Sequence, residues 1–229
     1  MKLYELVGRD PNMPFSPFAW RSKLALAHKG LKFESVPLRF TEIADTLSFA
    51  DSKTVPVLVD GENIIPDSWH IACYIQDAYP DGADLFGGPR GRAAAHLFGF
   101  QMGMPLLMPL FRTLVSDIYK ILDERDQDFF RKTREPRIGC TIEDAAENYH
   151  DALVTFQNNL IPYEAYLKSS EYFCGDSPAY QDYCFYSLFL WARATSPKSI
   201  LKEDSPIKKW LDKMDGLFDG LGGNIKLIK

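Results

Sequence analysis

Apolar and β-branched residues in the first third of the chain fall into short runs separated by polar or turn-forming positions. The runs KLYELV (2–7) and KFESVPL (32–38) have the length and composition of β-strands. Between them, Ser16 stands at a helix N-cap position, Pro17 at the first helical position and Gly30 just past the end. A strand, a helix and a second strand predict two parallel strands joined by a right-handed crossover.

A second pair of apolar runs, in VPVLVDGENIIPDS (55–68), flanks the dipeptide Asp60-Gly61. Asp-Gly is a strong hairpin signal, so these two strands are predicted to be antiparallel. A helix follows from about Ser68, and a short, polar segment (41–48) is the weakest predicted helix. The order β-α-β-α-β-β-α with a mixed sheet is the thioredoxin-like α/β arrangement.

After a Gly/Pro/Asp-rich linker (81–91), the period of the apolar positions becomes helical, and no convincing hairpin follows. The first long helical stretch is expected to kink near Pro105 or Pro109, because proline removes a backbone donor. Further helices are predicted at about 142–168, 180–195 and 205–219. We therefore expect a thioredoxin-like domain over 1–84 and an all-α helical-bundle domain over 92–229.

Composition narrows the class of protein. A net charge of −5 in 229 residues and a pI near 5.4 argue against nucleic-acid binding. No stretch approaches the roughly 18 apolar residues of a membrane span, and the N-terminus lacks a signal-peptide pattern, so we expect a soluble, cytoplasmic protein. The four cysteines form no CxxC pair, and no histidine has metal-ligand spacing to them, so we expect reduced thiols and no metal site.

The tetrapeptide Ser16-Pro17-Phe18-Ala19 opens the first helix. Thiol-disulfide oxidoreductases of this fold carry C-P-x-C there, where the positive end of the helix stabilises a thiolate. Both sulfurs are missing here, which excludes dithiol chemistry at this site. Ser16 is either a helix cap alone, worth about 1 kcal/mol, or also a donor to a sulfur supplied by a ligand.

Three further places could contact such a ligand. Pro56 cannot donate a ladder hydrogen bond, although its strand looks central. A cis Val55-Pro56 bond would explain the proline, because it would turn the Val55 backbone toward a ligand. The alternative is that the strand lies at the edge of the sheet, where proline is tolerated. Asp67 and Ser68 open a helix and could hold an amino-acid head, or only cap the helix. Lys53, on a loop, could reach a second carboxylate or be a solvated surface charge.

Together these places describe an extended, zwitterionic peptide lying along the sheet edge. Its amino-acid head would meet Asp67 and Ser68, its backbone would pair with Val55, its sulfur would meet Ser16, and its far carboxylate would approach Lys53. The ligand with these groups in this order is glutathione.

The residues resemble the cytosolic glutathione transferases over essentially the whole chain. Within that superfamily the chain is most similar to bacterial lignin β-aryl-ether-cleaving enzymes (β-etherases) and related fungal proteins. The motifs that carry the resemblance are SPFAWRSKLALAHKG (16–30), VPVLVDG (55–61), DSWHIACYI (67–75), PLFR (109–112) and WLDKMDGLFDGLG (210–222).

The resemblance implies a role for each motif residue. Ser16 would donate a hydrogen bond to the glutathione sulfur, Val55 would pair with the cysteinyl backbone, and Asp67 and Ser68 would hold the γ-glutamyl head. It also implies a homodimer.

In one respect the chain departs from the superfamily, which usually starts a buried helix with Ser or Thr followed, after two residues, by Asp. Here the cap position is Ala179, which would cost about 1 kcal/mol unless something compensates.

In this architecture the electrophile binds between the domains. Phe15 from one side and Met102, Met104, Met108 and Phe111 from the other are candidates for its pocket, although each could be an ordinary core residue. Such a pocket would accept an aromatic, poorly charged compound.

By resemblance, the reaction is attack of glutathione thiolate on a carbon next to a ketone, with departure of a phenolate. The alternatives are conjugation of other electrophiles in detoxification, a thiol-dependent isomerisation of the maleylacetoacetate type, and a non-catalytic glutathione- or ligand-binding protein. The fold alone does not decide among them.

Overall fold

The computed structural model describes residues 1–228; Lys229, the last residue of the predicted helical domain, lies outside the described residues. Within that range the first half of the chain forms a mixed sheet of four strands in the order β2-β1-β3-β4. The strands are β1 (Lys2–Leu6), β2 (Glu34–Leu38), β3 (Val57–Asp60) and β4 (Asn63–Pro66). β1 and β2 are parallel, and the β1–β3 and β3–β4 pairs are antiparallel, which confirms the predicted topology.

Three helices accompany the sheet: α1 (Pro17–His28), α2 (Ile43–Thr46) and α3 (Ser68–Ala78). α1 begins where predicted, because the Ser16 side chain accepts a hydrogen bond from the N–H of Ala19 and Pro17 follows the cap. It ends at His28, and Gly30, just past the end as predicted, has a φ of +67°, which suits glycine. The polar segment predicted as one helix over 41–48 is a single α-helical turn flanked by 3-10 turns at Phe40–Glu42 and Ser48–Ala50.

Helices account for the regular structure of the second half. They are α4 (Gly88–Met102), α5 (Met108–Ile121), α6 (Glu124–Ile138), α7 (Ile142–Glu147), α8 (Tyr149–Asn159), α9 (Ile161–Leu167), α10 (Tyr180–Thr195) and α11 (Ile207–Asp215). The predicted helix at 180–195 is confirmed, the segment 142–168 divides into three helices, and the last predicted helix is shorter at both ends. The expected interruption near Pro105 is a π-helical turn, Gly103–Leu107.

The expectation that no stretch resembles a membrane span needs correction. The helical run Gly88–Ile121 is 34 residues long, with a mean hydropathy of 1.2 over 18 residues, so by length and composition it could cross a membrane. It reaches this length because the helix continues through Pro105 and Pro109. Leu110, Leu114 and other apolar side chains of its second part are fully buried, so this part is a core helix of the helical domain.

α6 was not among the predicted helices. Its sequence, ERDQDFFRKTREPRI, is strongly polar and contains a proline, so it lacks the apolar period that indicates a helix. Its ends nevertheless carry helix signals. The Asp123 side chain accepts from the N–H of Asp126, and Gly139 follows the last turn with φ +73°. An ion pair of 2.6 Å between Arg131 and Glu135 spans one turn.

The missing cap hydroxyl at the start of α10 is compensated by two contacts. The N–H of Tyr180 donates to the carbonyl of Leu85 at 3.0 Å, and the N–H of Ala179 donates to the Asp182 carboxylate at 3.1 Å. The same carboxylate accepts from the N–H of Phe173 at 3.0 Å and from the indole N–H of Trp210 at 3.3 Å. Asp182 therefore fastens the helix start to two other segments.

Replacement of Asp182 by Ala is expected to lower the free energy of unfolding by about 2 kcal/mol, because three buried N–H donors lose their acceptor. Burial raises the pKa of Asp182 to about 6, which shows that the buried carboxylate is held at a desolvation cost. Removing the carboxylate removes this cost as well, and the decrease in the free energy of unfolding is therefore limited. Urea denaturation measures the change. Asp212→Ala, an exposed position on α11, is the control and should change stability by less than about 0.5 kcal/mol. Equal stability of the two variants would contradict this role.

Candidate active site

A cavity of about 600 Å³ lies between the sheet domain and helices α5 and α6. From the sheet side it is lined by Ser16, Lys53, Val55, Pro56 and Asp67, all of which the sequence singled out. Residues separated by up to 51 positions in the chain thus meet at one end of a single cavity, as an extended peptide ligand requires.

Ser16 lies at this end with only 5% of its surface exposed. Its oxygen accepts from the Ala19 N–H at 3.3 Å, which leaves the hydroxyl proton available for donation. The positive end of α1 is at the same point. Both features favour a negatively charged atom in the cavity next to Ser16.

Asp67 caps α3 in a left-handed conformation, with φ +72°. One carboxylate oxygen, Oδ1, accepts from the N–H groups of Trp69 and His70 at 2.8 and 3.2 Å. The other oxygen accepts no hydrogen bond from residues 1–228 and can receive one from a ligand ammonium. Ser68 is buried beside it and does not line the cavity; its carbonyl accepts from the Tyr180 hydroxyl at 3.1 Å.

The segment before β3 presents free backbone groups to the cavity. The Val55–Pro56 bond is cis, and the Pro56 carbonyl accepts from the Asp67 N–H at 3.1 Å. Within the described part of the chain, the N–H and C=O of Val55 have no hydrogen-bond partner. They are therefore available to an extended ligand backbone, and Lys53 lies two residues before them.

Apolar and aromatic side chains make up most of the other end of the cavity. Phe15, Met108 and Phe111 line it as predicted. Phe111 stacks on Trp191, with ring centroids 5.9 Å apart. Met104 does not line the cavity: its side chain is 76% exposed, on the π-helical turn. Met102 is buried and also lies outside the lining.

Sequence reasoning missed the contribution of α6 to this end. The residues that α6 places in the lining are Phe129, Phe130, Thr133, Arg134 and Arg137. They were missed because the helix itself was not recognised. The only signal available was the pair of phenylalanines inside a capped, charged segment.

A buried carboxylate ties α6 to the sheet domain. Asp126, 1% exposed, accepts from the N–H groups of Phe40 and Thr41 at 3.1 and 2.9 Å. This places Phe40 in the cavity wall, with its ring 5.5 Å from that of Phe130 and 6.2 Å from that of Phe15. The wall is thus continuous from the first domain to the second.

The Arg134 side chain brings a positive charge into this aromatic wall. Its guanidinium lies 5.0 Å from the Phe40 ring centroid and 5.5 Å from that of Phe130. Burial, together with the positive charge of Arg137, lowers the pKa of Arg134 to about 10. A poorly charged ligand, as expected from the sequence, would leave both cations without a partner.

No group of three or more His, Cys, Asp or Glu side chains in the described residues is placed to hold a metal ion. The cavity instead offers hydrogen-bonding groups at one end and aromatic rings with two guanidinium groups at the other.

Comparison with known families agrees with this arrangement. The pattern described as "Glutathione S-transferase, N-terminal domain" matches residues 15–78, and "Glutathione S-transferase, C-terminal domain" matches residues 93–217. The chain therefore belongs to the glutathione S-transferase family.

Solved structures with the same fold cover the whole chain. The glutathione transferase GSTFuA3 of Phanerochaete chrysosporium has a TM-score of 0.84 at 22% identity, covering 100% of this chain and 98% of its own. A glutathione S-transferase of Ceriporiopsis subvermispora, solved in complex with glutathione, has a TM-score of 0.80, with the same identity and coverage. At this identity the likeness shows the fold.

Curated relatives match over shorter segments. Glutathione S-transferase Z1 of Arabidopsis thaliana is 37% identical over 70 residues, which are 29% of this chain and 32% of that protein. Glutathione S-transferase 3 of Zea mays is 38% identical over 90 residues, 37% of this chain and 40% of that protein. The matches thus span about a third of the length of these relatives.

Asp126→Ala is expected to release the segment around Phe40 from α6. The amides of Phe40 and Thr41 lose their acceptor, so their hydrogen exchange should become at least about 10-fold faster. Exchange measured by NMR or mass spectrometry tests this. Asp128→Ala, an exposed position on the same helix, should leave both amides unchanged. Unchanged protection in Asp126→Ala would contradict the proposed attachment.

Proposed function

We propose that this protein is a glutathione transferase in which the Ser16 hydroxyl donates a hydrogen bond to the sulfur of glutathione. The observation that carries the proposal is the position of Ser16. It lies at the positive end of α1, in the cavity that the Val55 backbone and the Asp67 carboxylate also line. Family membership and the glutathione-bound relative support the same ligand.

The bound tripeptide would lie with its γ-glutamyl ammonium on the free oxygen of Asp67 and its α-carboxylate at the N-terminus of α3, beside Ser68. The N–H and C=O of Val55 would pair with the cysteinyl backbone, next to Pro56. Lys53 would meet the glycine carboxylate. Each group of the ligand thereby has a partner of complementary charge or hydrogen-bonding type.

The role of Ser16 is to increase the fraction of thiolate. A free thiol with a pKa near 8.5 is only a few per cent ionised at pH 7, and lowering the pKa by about two units makes it mostly thiolate. Each unit corresponds to about 1.4 kcal/mol. A charge-assisted hydrogen bond and the helix dipole are together of that size.

The electrophile would bind against the aromatic end of the cavity, between Phe15 and Phe111, with Met108 beside them. The proposed reaction is displacement at a β-carbon next to an aryl ketone. A new bond forms between sulfur and that carbon, the carbon–oxygen bond of the aryl ether breaks, and the phenolate leaves and takes a proton from solvent. The protein mainly orients the two reactants, since the adjacent carbonyl already activates the carbon.

We further propose that the protein works in the cytoplasm as a homodimer. The support is an exposed apolar strip along α4 and the π-helical turn, where Leu97, Phe100 and Met104 are 58%, 71% and 76% exposed. Met104, which the sequence suggested for the electrophile pocket, would then belong to a contact between subunits.

Ser16→Ala should raise the pKa of bound glutathione by about one to two units, because one charge-assisted hydrogen bond is lost. We expect turnover at pH 7 to fall about 3- to 25-fold, in proportion to the fraction of thiolate, while glutathione still binds. Thiolate absorbance as a function of pH and steady-state kinetics measure the two effects.

A matched control separates this role from helix capping. Thr141 caps α7 by accepting from the Asp144 N–H at 3.0 Å, and it does not line the cavity. Thr141→Ala should therefore cost similar stability, about 1 kcal/mol, with normal turnover. Normal turnover in Ser16→Ala would remove Ser16 from the mechanism.

A β-aryl ether ketone that carries a fluorescent phenol tests the electrophile. We expect glutathione-dependent release of the phenol from at least one enantiomer, followed by fluorescence, and formation of one thioether per phenol. The matched alcohol, in which the ketone is reduced, should not react because its β-carbon is not activated. Absence of release from both enantiomers would refute the β-etherase reaction, and turnover of another aromatic electrophile would then support general conjugation.

A further inference from the structure

Two cations of α6 lie in the cavity without an acidic partner. Arg134 and Arg137 are three residues apart, on one face of the helix, and both line the cavity. Arg131 on the same helix is paired with Glu135 and Glu143 at 2.6 and 2.7 Å. Among residues 1–228, neither Arg134 nor Arg137 has a carboxylate within ion-pair distance. The single hydrogen bond that Arg134 donates there goes to the Thr133 hydroxyl, at 2.9 Å.

The surroundings make this arrangement unfavourable unless an anion is bound. The Arg134 guanidinium packs against the neighbouring Phe40 and Phe130 rings, where it is half-buried, and the charge of Arg137 repels it. Cation–π contacts compensate part of the lost hydration. A planar guanidinium can still offer two parallel N–H groups to a carboxylate, and such a pair is strongest where water is partly excluded.

Glutathione does not account for these charges. In the proposed binding mode its two carboxylates are met by the α3 N-terminus and by Lys53, and its ammonium by Asp67, which is the only acidic side chain described in the lining. Arg134 and Arg137 lie on α6, at the end where the second substrate would bind. The unmatched positive charge therefore belongs to the electrophile site.

We propose that Arg134 and Arg137 bind a carboxylate carried by the electrophile, so that the preferred substrates are aromatic electrophiles with a carboxylate group remote from the carbon attacked by sulfur. This inference rests on the proposed function. Arg134 is the main ligand and sets substrate preference, and Arg137 adds a second charge at the more exposed rim. The aromatic wall binds the ring to which the carboxylate is attached.

Binding of two product analogues tests the inference without turnover. The probes are S-(4-carboxybenzyl)glutathione and S-(4-carbamoylbenzyl)glutathione, which differ only in the charge of the terminal group. Calorimetry on the wild-type protein should show the carboxylate compound binding at least about 10-fold more tightly. Arg134→Met should reduce this ratio to about 1, while Arg134→Lys should retain part of it, because charge remains and the planar fork is lost.

The control is Arg125→Met. Arg125 is exposed on the same helix, outside the cavity lining, and the ratio in this variant should stay at the wild-type value. The preference should also decrease as salt is raised from about 0.05 to about 0.5 M, because this increase shortens the screening length about threefold. Equal binding of the two probes to the wild-type protein would overturn the proposal. So would an Arg134→Met variant that weakens both probes and glutathione equally, because Arg134 would then contact glutathione itself.

Turnover distinguishes this inference from the proposed function. With 4-chloro-3-nitrobenzoate and its amide as electrophiles, Arg134→Met should raise KM for the acid about 10-fold and leave that for the amide unchanged. A protein that turns over neither compound but keeps the carboxylate preference in binding would argue against conjugation of these aryl chlorides and would support the inference about Arg134. If the glutathione conjugates do not bind at all, the affinities of free 4-benzylbenzoate and its amide are compared instead. Tighter binding of the acid would support the proposal, and equal affinity would overturn it.

Discussion

The burial of α1 between the sheet and α10 is the constraint on which the site depends. Between Pro17 and Leu26, nearly every side chain of this helix is inaccessible to solvent. Polar contacts fix it further: Arg21 Nε donates to the Ser187 hydroxyl at 3.3 Å, and His28 Nδ1 lies 2.6 Å from the Tyr183 hydroxyl. Because both layers hold the helix, its positive N-terminus cannot move relative to the cavity.

A second connection completes the cavity from the opposite side. The buried Asp126 carboxylate holds the Phe40 segment against α6, so the first domain supplies part of the wall that the second domain closes. This contact joins residues 85 and 86 positions apart and has no local sequence signal. The electrophile end of the cavity is therefore a product of the packing between domains, whereas the glutathione end is built by one domain alone.

That difference explains what could be predicted from the sequence. The sheet order, α1 and the places of Ser16, Val55 and Asp67 follow from local rules: a cap with proline, a hairpin dipeptide and an alternation of strands and helices. α6 does not follow from them, because its few apolar residues are outnumbered by charged residues and show no helical period. Met104 was predicted to line the pocket because methionine suits adaptable apolar sites and because it lies near the expected kink. In the structure it is exposed on the π-helical turn, outside the lining.

Both ends of the cavity favour negative charge, but through different groups: the Ser16 hydroxyl and the α1 N-terminus at the sheet end, and two guanidinium groups at the other end. At the sheet end, Ser16 can cap α1 and stabilise an anion at once, because its oxygen accepts the Ala19 N–H while its proton remains free. A thiolate formed there adds negative charge to a partly desolvated space. The guanidinium groups of Arg134 and Arg137 lie at the other end, and the proposed anionic second substrate would relieve their mutual repulsion. In the proposed binding mode, glutathione thiolate has a net charge of −2 and balances the net +2 of the lining, which comes from Lys53, Arg134 and Arg137 against Asp67. An anionic second substrate would therefore be held by its local contacts with the two guanidinium groups and not by the total charge of the cavity.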